Sequence, residues 1–302
     1  MKNFYLILNP CKTGAVEMAE RIKGYLEARG CSCPIQGEEE AERWVCEVGA
    51  EPHRHIKEIH TIGHRYTDAG LVPENTECII TLGGDGTLIQ AARDLAGRGI
   101  PMIGINMGHV GYLTQASGQE EITGFLDELI ANEYQLEKRM MLKGSIWRDG
   151  RLIQEDIALN EVVIVRREML RLLKLKVYVN DAPLNLYQAD GLILATPTGS
   201  TAYNLSAGGP IVEPTAKMTI LTPICSHALN GRSIVLSSRD RIEIEVLGDD
   251  DEGQAAVFDG DTMIHLKVGD RIRVERSEIE TILLNVREIS FLDNLRNKLA
   301  GI

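Results

Sequence analysis

The sequence predicts an α/β amino-terminal domain with a parallel, Rossmann-like sheet, then an all-β carboxyl-terminal β-sandwich, with a last helix packing back on the first domain. Three observations predict it. In the first half, apolar β-branched runs alternate with amphipathic helical stretches. From Met140 the apolar period falls to two, and strand follows strand with no helix between. Phe291 to Leu299 then returns to helical spacing. The expected boundaries are 1–136 plus 280–302 for the α/β domain and 137–279 for the sandwich.

At 302 residues the chain can hold two cores, and 44% hydrophobic with 25% charged residues is ordinary globular composition. A formal net charge of −12 argues against nucleic acid and anionic membrane as partners. Met1 to Leu8 has too short an apolar run for a signal peptide or a membrane span, so a cytoplasmic protein is expected. The six cysteines show no second pair to complete Cys31-Ser32-Cys33 as a zinc site, and free thiols are expected.

Taken in order, Phe4 to Leu8 is the first strand, ended by Asn9-Pro10. Ala15 to Arg29 is a helix stopped by Gly30, and Ser32 to Ile35 can add a strand. From Gly37 to Arg65 the chain is polar and weakly periodic, with His53, His55, His60 and His64. No cysteine or carboxylate pattern completes a metal site there, which favours a solvated insertion. Glu77 to Leu82 is a core strand, Leu88 to Gly97 a helix, Pro101 to Asn106 a second core strand, and Ile122 to Ile130 shows one apolar helix face. Asp149-Gly150 is a hairpin turn between Ser145–Arg148 and Arg151–Gln154. Further strands are expected at Ala158–Val165, Leu173–Val179, Ile193–Thr196, Ser233–Leu236, Arg241–Val246, Gln254–Phe258 and Arg271–Val274. Asp249 to Glu252 is expected to be a solvated loop.

The chemistry concentrates in a few stretches. Gly83-Gly84-Asp85-Gly86-Thr87 joins a strand to a helix, so free N–H groups and the helix dipole make an anion site. An aspartate there repels phosphate. It suits a carboxylate that holds Mg²⁺ or takes a proton beside a phosphate, or one that merely caps the helix. Gly108-His109-Val110-Gly111-Tyr112-Leu113-Thr114 is a second glycine turn at a strand's carboxyl end, where ligands sit in open α/β sheets. His109 could touch a phosphate or pack the turn. Asn160-Glu161 interrupts an apolar strand, either as a strand edge or as a hydrogen-bonding pair aimed at a ligand. Asp190 to Pro210 runs from a strand into small hydroxylic residues, Tyr203 and a diglycine. Such residues let a ligand approach and read its polar edges, although a packed structural turn has the same composition. Neither a G-x-S-x-G nucleophile elbow nor a Walker A motif is present, which excludes a Ser hydrolase of that type and a P-loop kinase.

These motifs in this order resemble the NAD kinase family: Gly83 to Thr87 its glycine-aspartate motif, Gly104 to Leu113 its second turn, Asn160-Glu161 its Asn-Glu motif and Asp190 to Pro210 its longest signature. The resemblance spans Asn9 to Asp261, and at position 109 this chain has His where many members have Arg. It implies transfer of a phosphoryl group from ATP to the 2′-hydroxyl of the adenosine ribose of NAD, with Mg²⁺, by a homodimer or homotetramer whose site lies between the domains. Asp85 would be the general base, with Gly83, Gly84, Gly86 and Thr87 as the phosphate loop. Asn160 would hold the adenine, Glu161 the nicotinamide ribose and Asp190 the nicotinamide amide. Thr201, Ala202, Tyr203 and Ser206 would line the adenine pocket, with Tyr112 nearby. The glycine-aspartate motif is similar to one in phosphofructokinases and in diacylglycerol and sphingosine kinases, so a lipid kinase is the rival reading; a non-catalytic NAD-binding regulator is a second.

Overall fold

The computed structural model describes residues 1–36, 59–61, 67–107, 111–116, 119–167, 172–227, 231–248, 253–286 and 291–300. In chain order these form β1 (Phe4–Leu8), α1 (Ala15–Glu27), β2 (Ile59–Thr61), β3 (Cys78–Gly83), α2 (Asp85–Asp94), β4 (Met102–Asn106), β5 (Thr114–Ala116) and α3 (Gln119–Ala131). Then come β6 (Gln135–Arg148), β7 (Arg151–Ala158), β8 (Glu161–Arg166), β9 (Leu173–Val179), β10 (Ala182–Ala189) and β11 (Gly191–Ala195). A one-turn helix α4 (Tyr203–Ser206) precedes β12 (Met218–Ile224), β13 (Ile234–Ser237), β14 (Ile242–Leu247), β15 (Gln254–Phe258), β16 (Thr262–Leu266), β17 (Arg271–Asn285) and α5 (Phe291–Ala300).

The chain divides into two compact units, residues 1–50, 64–138 and 280–302, and residues 51–63 and 139–279. In the first, β1, β3 and β4 pair in parallel, with Phe4, Leu6 and Leu8 opposite Cys78, Ile80 and Leu82. Alternate residues of a strand share a face, and this row forms one core with Ala15, Ala19, Ile22 and Leu26 of α1 and with Phe125 and Leu129 of α3. The spacing of those helical residues is that of a single buried stripe. The carboxyl end of β17 pairs with β4 through Leu283 and Met102, and α5 follows it in the same unit. The parallel sheet ends its strands at Gly83 and Asn106, which pair, and the two glycine turns leave from there.

In the second unit the antiparallel order β13-β12-β11-β8-β15-β16-β2 makes one sheet. The pairs β10-β9, β9-β14 and β14-β17 make the other. Leu175, Val177, Ile244 and Ile272 meet Ile164, Leu194, Ala256 and Phe258 in a shared apolar core, which is the expected sandwich.

Several expectations change. Helix α2 begins at Asp85, three residues earlier than expected, and Ser32 to Ile35 supplies isolated bridges at Ser32 and Ile35. The strand expected over Ala158–Val165 begins only at Glu161, the first residue of β8, and Asn160 lies between it and β7, which stops at Ala158. Strands β10, β12 and β16 were not expected. β12 is continuously buried after its first residue and holds Pro223, so it lacks the alternation that marks half-buried strands. Within the insertion, Ile59–Thr61 pairs with β16 as an edge strand, so this part is not a solvated loop. His53, His55, His64 and residues 249–252 lie outside the described residues. The thiols of Cys31, Cys33, Cys78 and Cys225 are free, but Cys11 is disulfide-bonded, against the expectation. No described helix is long and apolar enough to cross a membrane.

Candidate functional site

In the first unit, α2 begins one residue after the glycine pair. Its N-cap is Gly84 in an extended conformation, and no side chain caps it. Asp85 is the first helical residue rather than the N-cap, and no side-chain cap bond is made at this end, so the capping alternative falls. The carboxylate is taken up by the second glycine turn instead. Tyr112 N donates to Oδ2 at 2.7 Å, and Leu113 N and the Thr114 hydroxyl donate to Oδ1 at 3.2 and 3.3 Å. The Thr114 oxygen in turn accepts from Gly111 N at 3.1 Å. A Cβ at Gly111 would collide with all three carboxylate atoms of Asp85, so this close approach requires glycine.

The two turns are therefore one device: strand ends at Gly83 and Asn106 place them side by side, and Asp85 ties them. Thr87 is buried, Gly84 half-buried and Gly86 exposed. Asn106 is buried with no partner for its Nδ2 among the described residues, a donor that the sequence did not single out. Burial, and then the charge of Asp85, push the Tyr112 phenol above its ordinary range. Lys298 of α5 stands 5.3 Å from the centre of that ring. His109 lies outside the described residues.

In the second unit, Asn160 and Glu161 occupy the junction of β7 and β8. Glu161 is 7% exposed, and its Oε2 has no partner among the described residues. Burial first, and then the charge of Asp259, push its pKa up to about 8. A carboxyl in this state holds its proton at neutral pH and lacks a donor, which a sugar hydroxyl could supply. Asp190 forms an ion pair with Arg166, 3.0 Å between Oδ1 and Nη2.

The long signature separates into two sets. Ser200 exchanges bonds with Val212, accepting from its N–H at 3.0 Å and donating to its carbonyl at 3.1 Å. Asn204 is fully buried, donates to the carbonyls of Ser200 and Pro210 and accepts from the Thr222 hydroxyl. These residues fix the loop. Thr201 and Ala202 are half-buried, and Tyr203 and Ser206 are exposed, so the expected adenine-pocket residues lie on the accessible side. Among the described residues no group of three His, Cys, Asp or Glu side chains could hold a metal ion.

Sequence reasoning placed Asn106 and Thr114 in the second turn without giving either a role, and missed Asp259. Asp259-Gly260 could have been found as a second Asp-Gly hairpin signal.

Residues 4–134 match the ATP-NAD kinase N-terminal domain and residues 159–286 the ATP-NAD kinase C-terminal domain. The chain is 42% identical to an NAD kinase of Lachnospira eligens, over 99% of this chain and 100% of that one. It is 39% identical to an NAD kinase of Agathobacter rectalis, over 100% and 99%. The crystal structure of yeast NADH kinase complexed with NADH is similar with TM-score 0.80 and 26% identity, covering 100% of this chain and 88% of that one. An NAD kinase from Archaeoglobus fulgidus in complex with ATP shares the fold, with TM-score 0.73 at 24% identity over 99% of both chains.

Proposed function

The chain belongs to the NAD kinase family, and we propose that it moves the terminal phosphoryl group of ATP to the 2′-hydroxyl of the adenosine ribose of NAD, giving NADP. The likeness to NAD kinases over the full length carries this reading. The geometry supports its parts. An ionised carboxylate offers about four acceptor positions. Asp85 uses two on Oδ1 and one on Oδ2, so Oδ2 keeps a position for the ribose proton. A secondary alcohol must lose that proton as it attacks phosphorus, and a positioned carboxylate takes it. The N–H groups and dipole at the start of α2, with Gly83, Gly84, Gly86 and Thr87, face the transferred phosphate.

Glu161 accepts the nicotinamide ribose hydroxyls, and Asn160 holds the adenine. Thr201, Ala202, Tyr203 and Ser206 line the adenine pocket, with Tyr112 beside it. Asp190 binds the nicotinamide amide while sharing Arg166. Mg²⁺ would enter as a companion of ATP, carried mainly by the substrate phosphates, since Asp85 keeps its last acceptor position for the ribose proton. Carried in with ATP, it would neutralise charge on the phosphoryl oxygens. A homodimer or homotetramer agrees with Leu184 and Leu186 exposed on β10. No observation favours a lipid kinase.

The test is incubation of the purified protein with Mg²⁺, NAD and either ATP, polyphosphate or no donor, reading NADP with an NADP-specific dehydrogenase. NADP formed with ATP is the expected result. A folded preparation that makes none overturns the reading.

A further inference from the structure

Asp259 lies 98 to 100 positions from the β7–β8 junction in sequence, yet it takes three consecutive N–H groups of that junction. Leu159 N donates to Oδ2 at 2.7 Å, and Asn160 N and Glu161 N donate to Oδ1 at 2.8 and 2.9 Å. Asp259 N returns a bond to the Glu161 carbonyl at 3.1 Å. The residue stands at the tip of the β15–β16 hairpin with φ 49, a left-handed conformation that aspartate tolerates. That explains an aspartate in the turn. It does not explain a carboxylate loaded with three foreign donors.

The carbonyls of Leu159 and Asn160 go to one other residue. Thr196 N donates to the Asn160 carbonyl at 2.8 Å, and the Thr196 hydroxyl donates to the Leu159 carbonyl at 2.6 Å. Gly199 N closes the arrangement by donating to that hydroxyl at 3.0 Å. A Cβ on Gly199 would run into the Asn160 main chain, so the backbone approach itself demands glycine. The main chain of 159–161 is thus held on both sides, while one oxygen of the Glu161 side chain has no partner among the described residues.

We propose that Asp259, assisted by Thr196, is the positioning residue of the NAD subsite, holding 159–161 in its binding conformation before the ligand arrives. The proposal rests on the reading of Asn160 and Glu161 as NAD contacts. A preformed loop spares the ligand the ordering of three residues, and charge-assisted N–H bonds to a carboxylate are the strong kind. The same charge opposes ionisation of Glu161, so Asp259 also sets the pH range in which that carboxyl keeps the proton it carries when it meets the sugar.

The test is Asp259→Asn, which keeps the size and one acceptor oxygen, with Glu161→Gln in parallel. Asp259→Asn is expected to raise the NAD KM roughly tenfold to a hundredfold. The ATP KM and kcat at saturating NAD should stay within about threefold, because a contact equal in ground and transition states moves KM alone. The midpoint of NAD affinity against pH should move down, since a negative neighbour of Glu161 is gone. Thr196→Val is expected to weaken NAD binding and Thr196→Ser to restore it. A lowered melting temperature with unchanged NAD KM and pH midpoint overturns the proposal, leaving Asp259 a fold residue. If Glu161→Gln weakens NAD binding and Asp259→Asn does not, the subsite stands and its positioning by Asp259 fails. If Glu161→Gln itself has no effect, the subsite falls and the proposal with it. Hydrogen exchange on the wild-type protein needs no variant: amides 159–161 should be protected without NAD, and free exchange until NAD is added overturns the preformed loop.

Discussion

Asp85 is a half-exposed carboxylate carrying three hydrogen bonds, whereas Glu161 is buried with one oxygen that has no partner among the described residues. Each is held from outside its own element, Asp85 by the turn at 111–114 and Glu161 through a main chain fixed by Asp259. The difference lies in what is held. The first unit satisfies the side chain and leaves one acceptor position for a proton. The second satisfies the backbone and leaves the side chain wanting a donor. A satisfied ion is ready for chemistry that happens in the transition state; an unsatisfied acid stores free energy that a ligand can release on binding. Variants of the two residues should accordingly fail in different ways.

Asp85→Asn should show the largest effect, a fall in turnover of about 10²–10⁴-fold, the usual span for general-base catalysis. NAD affinity should hold, and the melting temperature should drop somewhat, because an amide nitrogen then faces a turn donor. Turnover within about threefold of wild type would remove Asp85 from the chemistry. Gly111→Ala sharpens the point by leaving Asp85 in place and displacing its carboxylate. Misplacement by about 1 Å can cost on the order of 10²-fold, so kcat should fall by about that much with the NAD KM little changed. A normal kcat in this variant would mean that the approach of the two turns is incidental.

Glu161→Gln should lower NAD affinity roughly tenfold to a hundredfold by calorimetry, with a smaller effect on kcat. Its stability effect has the opposite sign. The Glu161 carboxyl keeps in the folded state a proton that the unfolded chain releases between pH 4.5 and about 8. Folded protein therefore binds more protons than unfolded protein in that window, and stability falls as pH rises through it. Melting temperature measured from pH 5 to pH 9 should decline less steeply for Glu161→Gln than for wild type. Equal slopes would show that Glu161 is ionised in the unliganded protein. Thr114→Val should be the mildest, costing turnover several-fold through one lost hydrogen bond on Asp85, with Thr114→Ser restoring it.

Much of this comparison was legible early. The strand–glycine–helix pattern around Asp85 announces its own turn, because Ile79, Ile80 and the helical spacing after Thr87 are local signals. The Asn160-Glu161 pair was visible as polar residues breaking an apolar run, though it was read one strand too long. In Asp190 to Pro210 the composition showed a polar loop but could not separate its two sets. Thr201 and Asn204 are similar small polar side chains, yet one is half-buried and the other fully buried.

The sequence alone thus determined the fold class, the two glycine turns and the carboxylates worth testing, since periodicity and turn chemistry are written in neighbouring residues. Only the tertiary structure decided how those carboxylates are held. Tyr112 N reaches Asp85 across 27 positions, and Leu159 N reaches Asp259 across 100. Backbone donors carry no residue identity, so a carboxylate bound by distant N–H groups leaves no mark in the sequence of its partners. That is why Asp259, whose partners are three backbone N–H groups, emerged only when the chain was folded.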